Sequence, residues 1–357
     1  MKSLLPRIEI SLPKIRHNAR VLSTLYRKKG ISLMGVTKAI LGEPLIARAM
    51  IGGGVKFIAD SRIENILKMK AAGVSTSFVL LRTAFSQAES VVLGADISLN
   101  TELETILELS HQAKLLQKVH RIIIMAELGD RREGVMPCDF PAFIASVLSL
   151  PCIDIVGIGC NLACYGGIEP DNNNMGQLSI LANTIEEKFS LKLPIVSGGN
   201  SANYRWYQRT LDSGRINNLR LGESILLGRE TVNGEVIVGL HTDAFRLIAE
   251  VIESKDKSSL PSGTIGRDAF GNVPSFLDRG VHRRVIVALG RQDVPVSGLK
   301  SGECLEILGS SSDHLVLDGE NTTLSVGKEV SFGLDYKALL SAMTSPFIAK
   351  SYVSQYS

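Results

Sequence analysis

The chain has few aromatic residues, 5% of its 357 positions, and no large excess of charge of either sign. Lysine and arginine number 39 against 36 aspartates and glutamates, and the basic residues are scattered, so nucleic acid is not an expected partner. No run of about 18 apolar residues occurs, and residues 1–6 lack the apolar core of a signal peptide. We therefore expect no membrane association and a cytoplasmic location.

Cysteine is sparse too, and no two of its residues have the C-x-x-C spacing. The five are Cys138, Cys152, Cys160, Cys164 and Cys304. An odd number without that spacing argues against a disulfide framework and against a zinc site, so we expect free thiols and no metal. A G-x-G-x-x-G motif after the first apolar run is also lacking, which argues against a dinucleotide-binding sheet.

What the sequence does contain is a regular alternation of short apolar runs and helical patterns. Two helix starts, at 61–64 and 101–104, have the spacing of a capping box. Eight runs have the length and composition of buried strands: 33–36, 55–59, 78–81, 97–99, 122–126, 153–158, 194–196 and 219–221. Strand and helix repeated eight times predict an α/β fold of the (β/α)8 TIM barrel type.

The pattern changes near Val232, where helical spacing gives way to short strand-like runs separated by turn residues. These runs are 236–238, 245–252, 281–289, 304–308, 315–317 and 330–332. We predict a cofactor-binding barrel over 12–232 and a smaller, mainly β C-terminal domain over 233–357. The alternating strand at 5–11 is assigned to that second domain.

Lys38 stands directly after the first barrel strand, at the end of the barrel where active sites are built. An ammonium group at the rim of a buried strand loses solvation unless it is paired or used chemically. One interpretation is a lysine whose apolar stem packs on the strand while its amine reaches water. The other is a lysine that forms a Schiff base with an aldehyde.

Two further strand ends supply candidate substrate contacts. Strand five is followed by the charged loop 127–134, which is either a solvated surface loop or the place where the planar fork of Arg132 binds a carboxylate. Strand six is followed by Asn161, Cys164 and Tyr165. An alternative interpretation of Cys160 and Cys164 is that both are small buried apolar residues.

The last two strands end in residues suited to a phosphate group, because they offer hydroxyl, amide and backbone N–H groups. The candidates are Asn200, Ser201, Gly222 and Glu223. Phosphate sites after strands seven and eight recur in barrels. A lysine facing a phosphate site indicates an aldehyde cofactor that carries a phosphate, namely pyridoxal 5'-phosphate.

Together these motifs resemble the alanine racemase family of pyridoxal-phosphate enzymes. The matching segments are 35–39, 129–134, 157–164, 200–202 and 220–222, and a likeness to the ornithine racemase branch adds 58–65, 197–203 and 288–294. The resemblance covers nearly the whole chain. It implies a barrel followed by a β domain, and a homodimer whose active sites are shared between subunits.

The resemblance also implies a role for each matching residue. The cofactor-binding set would be Lys38, Asn200, Ser201, Arg220, Gly222, Glu223 and Thr344, and the substrate set Arg132, Asn161, Cys164 and Tyr165. Lys38 would form the Schiff base and act as one proton-transfer base. Arg220 would hydrogen-bond the pyridine nitrogen, and because a guanidinium does not give up its proton, that nitrogen stays largely unprotonated. Proton removal and return would then be favoured over decarboxylation.

The sequence departs from the family at two places. Asn161 stands where alanine racemases have a histidine, and the stretch 265–271 lacks the tyrosine that the partner subunit supplies as second base. Racemisation by two bases needs one group on each face of a planar intermediate. We therefore take Asp268 as the candidate second base, with Tyr165 and Cys164 behind it. The alternative interpretation of Asp268 is a plain turn residue.

The sequence thus predicts a pyridoxal-phosphate-dependent racemase of ornithine or another basic amino acid. A carboxylate that reaches the distal ammonium would exclude alanine, and Asp268, Asp278 and Asp293 are candidates for it. One alternative is a lyase on the same scaffold, a D-threonine-type aldolase or a decarboxylase, but His314 lacks the metal-binding companion expected of such an aldolase. Another is a non-catalytic pyridoxal-phosphate homeostasis protein, which ends after the barrel, whereas this chain continues well past Gly234.

Overall fold

A computed structural model of the chain describes residues 5–302, 305–319 and 324–353. Cys304, the first residue of the strand expected at 304–308, lies outside the described residues. Contacts divide the chain into a barrel unit, Leu12–Thr242, and a β unit made of the described parts of Met1–Ser11 and Asp243–Ser357. This division falls later in the chain than the expected position of 232.

The barrel unit is closed by eight parallel strands, which confirms the predicted fold. After β1 (Arg7–Ser11), which belongs to the β unit, the barrel strands are β2 (Ser32–Val36), β3 (Phe57–Asp60), β4 (Ser77–Leu80), β5 (Ile97–Asn100), β6 (His120–Ala126), β7 (Ile153–Cys160), β8 (Ile195–Ser197) and β9 (Asn218–Leu221). Each predicted run overlaps one of these strands, and β9 pairs with β2 to close the ring.

Helices connect the barrel strands: α1 (Leu12–Arg27), α2 (Pro44–Gly52), α3 (Ile63–Ala71), α4 (Ala88–Gly94), α5 (Leu103–Leu115), α6 (Phe140–Leu148), α7 (Asn172–Phe189), α8 (Asn203–Arg209) and α9 (Glu223–Leu227). The two predicted capping boxes are wrong. Because α3 and α5 begin one residue later than the pattern requires, Arg62 and Glu102 occupy the cap positions and neither side chain makes a capping bond. Asp171 forms a capping box at α7 instead.

Side chains from alternating strand positions fill the barrel interior: Met34, Val36, Ala59, Val79, Ile97, Leu99, Ile123 and Met125. Successive side chains of a strand point to opposite faces of the sheet. Lys38 and Glu127 follow Val36 and Met125 by two residues. The same alternation therefore brings both side chains to the carboxyl-terminal mouth of the barrel, where barrel active sites lie.

A buried histidine at the start of β6 makes the barrel sensitive to acid. His120 is 2% exposed, and its Nε2 lies 2.8 Å from the hydroxyl of Ser98. Burial, with the positive charge of Arg121, lowers the pKa of His120 to about 4, although the charge of Asp96 opposes this. Between pH 6.5 and 4, His120 therefore binds a proton in the unfolded chain but not in the folded chain. The free energy of unfolding falls as the pH falls through this range.

We expect His120→Gln to remove this part of the acid sensitivity. Urea unfolding at pH 7 and pH 4 should show the unmodified protein losing about 3 kcal/mol more than the variant, since one unit of pKa corresponds to about 1.4 kcal/mol. His111→Gln, at an exposed histidine, is the matched control and should follow the unmodified protein. Equal pH dependence of all three proteins would contradict the prediction.

The second unit is mainly β, as predicted, and most of its strand pairs are antiparallel. Its strands are β1, β10 (Phe245–Ser258), β11 (Val281–Val287), β12 (Leu299–Lys300), β13 (Glu306–Ser310), β14 (Leu315–Asp318), β15 (Glu329–Leu334) and β16 (Ala349–Val353), with helix α10 (Tyr336–Thr344). Within the described residues the strand order is β12-β15-β10-β11-β14-β13, and β1 pairs antiparallel with β10 and parallel with β16.

Four features of the carboxyl-terminal third differ from the sequence prediction. The strand expected at 236–238 is wrong, because Val236 forms only an isolated bridge with Arg229. Gly234 and Gly239 flank it with positive φ angles of 71° and 86°, which interrupt an extended chain. Helix α10 and strands β12 and β16 were not predicted. Among the described helices of the whole chain, none is both long and apolar enough to cross a bilayer.

Candidate active site

Lys38 opens a single 3-10 turn, Lys38–Ile40, directly after β2. The residue before it, Thr37, is fully buried, and its hydroxyl donates to Asp60 Oδ2 at 2.7 Å. The Thr37 carbonyl accepts hydrogen bonds from the N–H groups of Ile40 and Gly42. The Lys38 side chain itself is exposed. The backbone of the turn is thus fixed from both sides while the amine reaches solvent at the barrel mouth.

Asp60, at the end of β3, anchors this turn. It is fully buried and also accepts hydrogen bonds from the Arg62 N–H at 2.9 Å and Asn65 Nδ2 at 3.0 Å. Burial raises the pKa of Asp60, while the hydrogen bonds from Thr37, Asn65 and the backbone oppose the rise. The sequence prediction missed Asp60, since its partners come from a neighbouring strand and a following helix.

Arg220 on β9 is the most deeply placed cation of the site, 5% exposed. Its Nη1 donates to Ser197 Oγ at 2.5 Å, and its Nη2 donates to the Cys160 carbonyl at 2.7 Å and to Asn161 Oδ1 at 3.3 Å. Burial lowers the pKa of Arg220 to about 10, so the guanidinium stays protonated at neutral pH. Three of its five N–H groups make these bonds to described residues, which leaves Nε–H and one Nη1–H for an added acceptor.

Asn161 and Asn200 connect β7 to β8 beside this arginine. Asn200 Nδ2 donates to Asn161 Oδ1 at 3.2 Å and to the Leu162 carbonyl at 2.8 Å, and Asn200 Oδ1 accepts from the Ala202 N–H at 2.8 Å. The Nδ2 group of Asn161 is buried without a hydrogen-bond acceptor among the described residues. A buried amide in this state has a free donor for a bound molecule.

Ser201 and the start of α9 form the predicted phosphate region. Ser201 is buried, its hydroxyl lies 3.1 Å from Ser224 Oγ, and it accepts from the Ser224 N–H at 3.3 Å. Gly222 is the cap residue of α9, and a Cβ there would lie 3.3 Å from the Val36 Cβ. Two hydroxyls and a crowded glycine backbone at adjacent strand ends match the donor chemistry of a phosphate site.

Asp130 joins the loops that follow β6 and β7. It is 1% exposed, and its carboxylate accepts the backbone N–H groups of Cys164, Tyr165 and Gly166 at 3.0 to 3.1 Å. A Cβ on Gly166 would lie 2.6 Å from the Asp130 carbonyl oxygen, so only glycine permits this approach. The sequence indicated a charged loop here but not this function of Asp130.

Arg132 lies on the same pair of loops but does not have a free guanidinium. Its Nε and Nη2 donate to the two carboxylate oxygens of Glu133, and its Nη1 donates to Cys164 Sγ. The hydrogen bonds to Glu133 are the main cause of the raised pKa of Arg132. Cys164 and Tyr165 are exposed, so the interpretation of Cys164 as a buried apolar residue is wrong. For Cys160 it is confirmed, and burial raises the pKa of that thiol to about 12.

Five of the barrel residues named in the sequence analysis lie near one another: Arg132, Asn161, Cys164, Asn200 and Arg220. The charges of Arg132, Glu133 and Cys164 all act on the pKa of Arg220. Asn161 contacts both Arg220 and Asn200, and strands β8 and β9 are paired neighbours. Among the described residues, no three histidine, cysteine, aspartate or glutamate side chains gather as a metal site.

Two predicted residues belong to the β unit. Asp268 lies in a turn of the long connection between β10 and β11, where its carboxylate accepts the N–H groups of Phe270 and Asn272. These hydrogen bonds, that of Asn272 first, lower the pKa of Asp268. Thr344 is the last residue of α10, and its hydroxyl donates to the carbonyls of Leu340 and Ser341. Their roles in a site stay predictions.

Comparison with known proteins supports the same interpretation. Residues 10–229 match the family model of the alanine racemase N-terminal domain. An ornithine racemase from Acetoanaerobium sticklandii is 44% identical over 97% of this chain and 99% of its own length. A lysine racemase from Thermotoga maritima is 38% identical over 97% and 98%. An alanine racemase from Streptomyces lavendulae has a similar fold, with a TM-score of 0.79 at 17% identity over 100% and 99% of the two chains.

Proposed function

The chain belongs to the alanine racemase family, and from this premise we propose that it is a pyridoxal-phosphate-dependent racemase of ornithine or another basic amino acid. Two relatives carry the proposal. The ornithine racemase and the lysine racemase both match this chain over nearly its whole length, and both are named as racemases of diamino acids. The likeness to alanine racemases at 17% identity supports the fold alone. Both full-length matches include the β unit, which a barrel-only homeostasis protein lacks.

The barrel mouth has the donor set that pyridoxal 5'-phosphate requires. Lys38 offers an exposed amine for the aldehyde, and Arg220 has an unused Nε–H for the ring nitrogen. Ser201, with the backbone of Gly222 and Glu223, would hold the phosphate. Asn200 supports this region through its bonds to Leu162 and Ala202. Thr344 of the β unit is kept as a proposed phosphate contact.

When bound, the cofactor withdraws electrons from the amino acid and so makes its α C–H acidic. This chain's own residues then decide which bond is broken. Arg220, protonated at neutral pH, would donate to the ring nitrogen without transferring its proton, which would limit electron withdrawal and favour proton removal and return. Lys38 would take or give the α proton on one face, since the turn after β2 fixes its position.

Arg132 is proposed to bind the substrate carboxylate, with Asn161, Cys164 and Tyr165 around it. Its planar fork suits a carboxylate, as its present bonds to Glu133 demonstrate. Asn161 would offer its unused Nδ2 donor. Cys164 already contacts Arg132 through its sulfur, and Tyr165 is held next to it by Asp130.

We further propose a homodimer in which Asp268 serves as the base on the second face. Apolar side chains are exposed in the segment around Asp268, among them Ile265, Phe270, Val273, Phe276 and Leu277. Such a group of exposed apolar residues favours contact with another protein surface. To act as a base, Asp268 has to release the N–H groups of Phe270 and Asn272, because those bonds lower its pKa. We place the enzyme in the cytoplasm, where its free described cysteines stay reduced.

A substrate screen tests the proposal. Purified protein with pyridoxal 5'-phosphate should racemise L-ornithine or L-lysine with a kcat/KM at least about a hundredfold above that for L-alanine, because a site that pairs a distal ammonium discriminates against a side chain lacking it. Chiral chromatography of the products gives both rates. Turnover of alanine with both diamino acids inert would refute the substrate assignment, and inertness toward all three would refute the racemase.

A further inference from the structure

Glu133 occupies the guanidinium fork that a substrate carboxylate would need. Both of its carboxylate oxygens accept from Arg132, one from Nε and one from Nη2. The remaining Arg132 nitrogen, Nη1, contacts Cys164. The side chains are 38% and 36% exposed, so the pair faces the solvent at the mouth and can be broken without unfolding anything. A substrate carboxylate therefore has to displace Glu133.

The displaced carboxylate has little freedom to leave the site, because the backbone around it is pinned. Glu127 N–H donates to the Val135 carbonyl at 3.0 Å, and Val135 N–H donates to the Met125 carbonyl at 2.8 Å. A Cβ on Gly134 would lie 2.4 Å from the Glu127 nitrogen, so the residue after Glu133 is packed against the strand end. The backbone next to Glu133 is thus held in place, so a displaced Glu133 carboxylate would stay close to Arg132.

The other acidic residues of this loop are already committed. Glu127 Oε1 accepts from the Gly129 N–H at 2.5 Å, and both oxygens of Asp130 accept backbone N–H groups. Of the three candidates from the sequence, Asp268 and Asp278 accept backbone N–H groups in their own turns, and the buried Asp293 accepts that of Gly290. Glu133 differs from these carboxylates, because its partner is Arg132 and a substrate carboxylate that binds Arg132 would leave Glu133 unpaired.

We infer that Glu133 is the residue that selects a cationic substrate: released from Arg132 by the substrate's α-carboxylate, it accepts the side-chain ammonium of the same molecule. This inference rests on the proposed function. A diamino acid breaks one ion pair and forms two, whereas alanine breaks one, forms one and leaves a carboxylate unpaired. Alanine binds less favourably because it displaces Glu133 from Arg132 without offering Glu133 a new partner. Selection therefore needs no separate pocket for the ammonium group.

The test compares two ligands that have no α proton and so bind without being racemised, α-methylornithine and 2-aminoisobutyrate. In the holoenzyme, Glu133→Gln should reduce the preference for α-methylornithine over 2-aminoisobutyrate by at least about tenfold, because neither ligand then has to displace a carboxylate from Arg132 and only α-methylornithine loses an ion pair. The variant should bind 2-aminoisobutyrate at least as tightly as before, because Arg132 is no longer occupied. Titration calorimetry gives both dissociation constants, and the ratio of kcat/KM for ornithine and alanine should fall in parallel.

Glu187→Gln, at an exposed glutamate of α7, is the matched control and should change neither constant. The unmodified holoenzyme supplies an independent measurement: its preference for α-methylornithine should decline as salt rises from 50 to 500 mM. An unchanged preference in Glu133→Gln, or one insensitive to salt, overturns the inference. Absence of racemisation by the unmodified protein would refute the proposed function instead. The two failures can be distinguished, because the ratio of dissociation constants is measured without racemisation.

Discussion

Replacing Lys38 with alanine is expected to lower racemase activity by on the order of 10³-fold or more, since the residue both holds the cofactor and moves a proton. The purified variant should also lose the visible absorbance of covalently held cofactor. Because the side chain is exposed, its removal creates no cavity, and the free energy of unfolding should stay within about 0.5 kcal/mol of the original when both proteins are cofactor-free. Activity, absorbance spectra and urea unfolding measure the three effects.

Lys56→Ala is the control, because Lys56 is an exposed lysine just before β3 and thus at the other end of a barrel strand. It should retain full activity and absorbance.

Asp268→Asn tests the base on the opposite face of the substrate. Exchange of α deuterium should be lost from one enantiomer of ornithine and kept from the other. Retained absorbance and turnover in Lys38→Ala would remove the lysine from the site, and unchanged exchange from both enantiomers would remove Asp268 from the mechanism.

Replacing Arg220 with methionine should have the second-largest effect, a fall in kcat of about 10²- to 10³-fold with a much smaller change in KM. The guanidinium is placed to act on the cofactor ring rather than on the substrate. Stability should change less. The lost hydrogen bonds to Ser197, Cys160 and Asn161 are partly offset by removal of a buried charge, whose cost is visible in its lowered pKa, so we expect a loss below about 3 kcal/mol.

Arg215→Met is the matched control for Arg220. Arg215 lies just before β9 and pairs with Glu186 at 2.8 Å, so the substitution removes an arginine and an ion pair outside the barrel mouth. It should leave kcat unchanged. Steady-state kinetics on ornithine and urea unfolding of both variants separate the two roles. An Arg220→Met protein with reduced stability but normal kcat would make Arg220 a purely structural residue.

The barrel could be predicted from sequence because each strand is a short apolar run and β/α alternation leaves few other folds. Lys38 and Arg132 could be singled out for the same reason, since parallel strands all end at one mouth. Local patterns were less reliable. Ser61 has capping-box spacing, but the carboxylate of Asp60 takes the Arg62 N–H instead, a contact from the preceding strand end. Asp171 was overlooked as a cap because an asparagine stands at the third helical position.

Contacts between distant segments were beyond sequence reasoning. Asp130 accepts hydrogen bonds from three N–H groups more than thirty residues away, and the sequence of its own loop does not indicate these partners. The pairing of Arg132 with its neighbour Glu133 was equally hidden. Adjacent residues of a loop pair only for particular backbone angles, which the sequence does not reveal. Sequence could name the residues of this loop but not their partners.

The bonds from Asp130 have a consequence for attempts to redesign substrate range. One carboxylate, that of Asp130, binds the loop after β6 to the N–H groups of Cys164, Tyr165 and Gly166 in the loop after β7. The two loops therefore depend on each other for their conformation. A loop transplanted alone from a relative would arrive without its counterpart, so either the buried Asp130 carboxylate or the three N–H groups would lose their partners. Chimeras should therefore exchange both loops together.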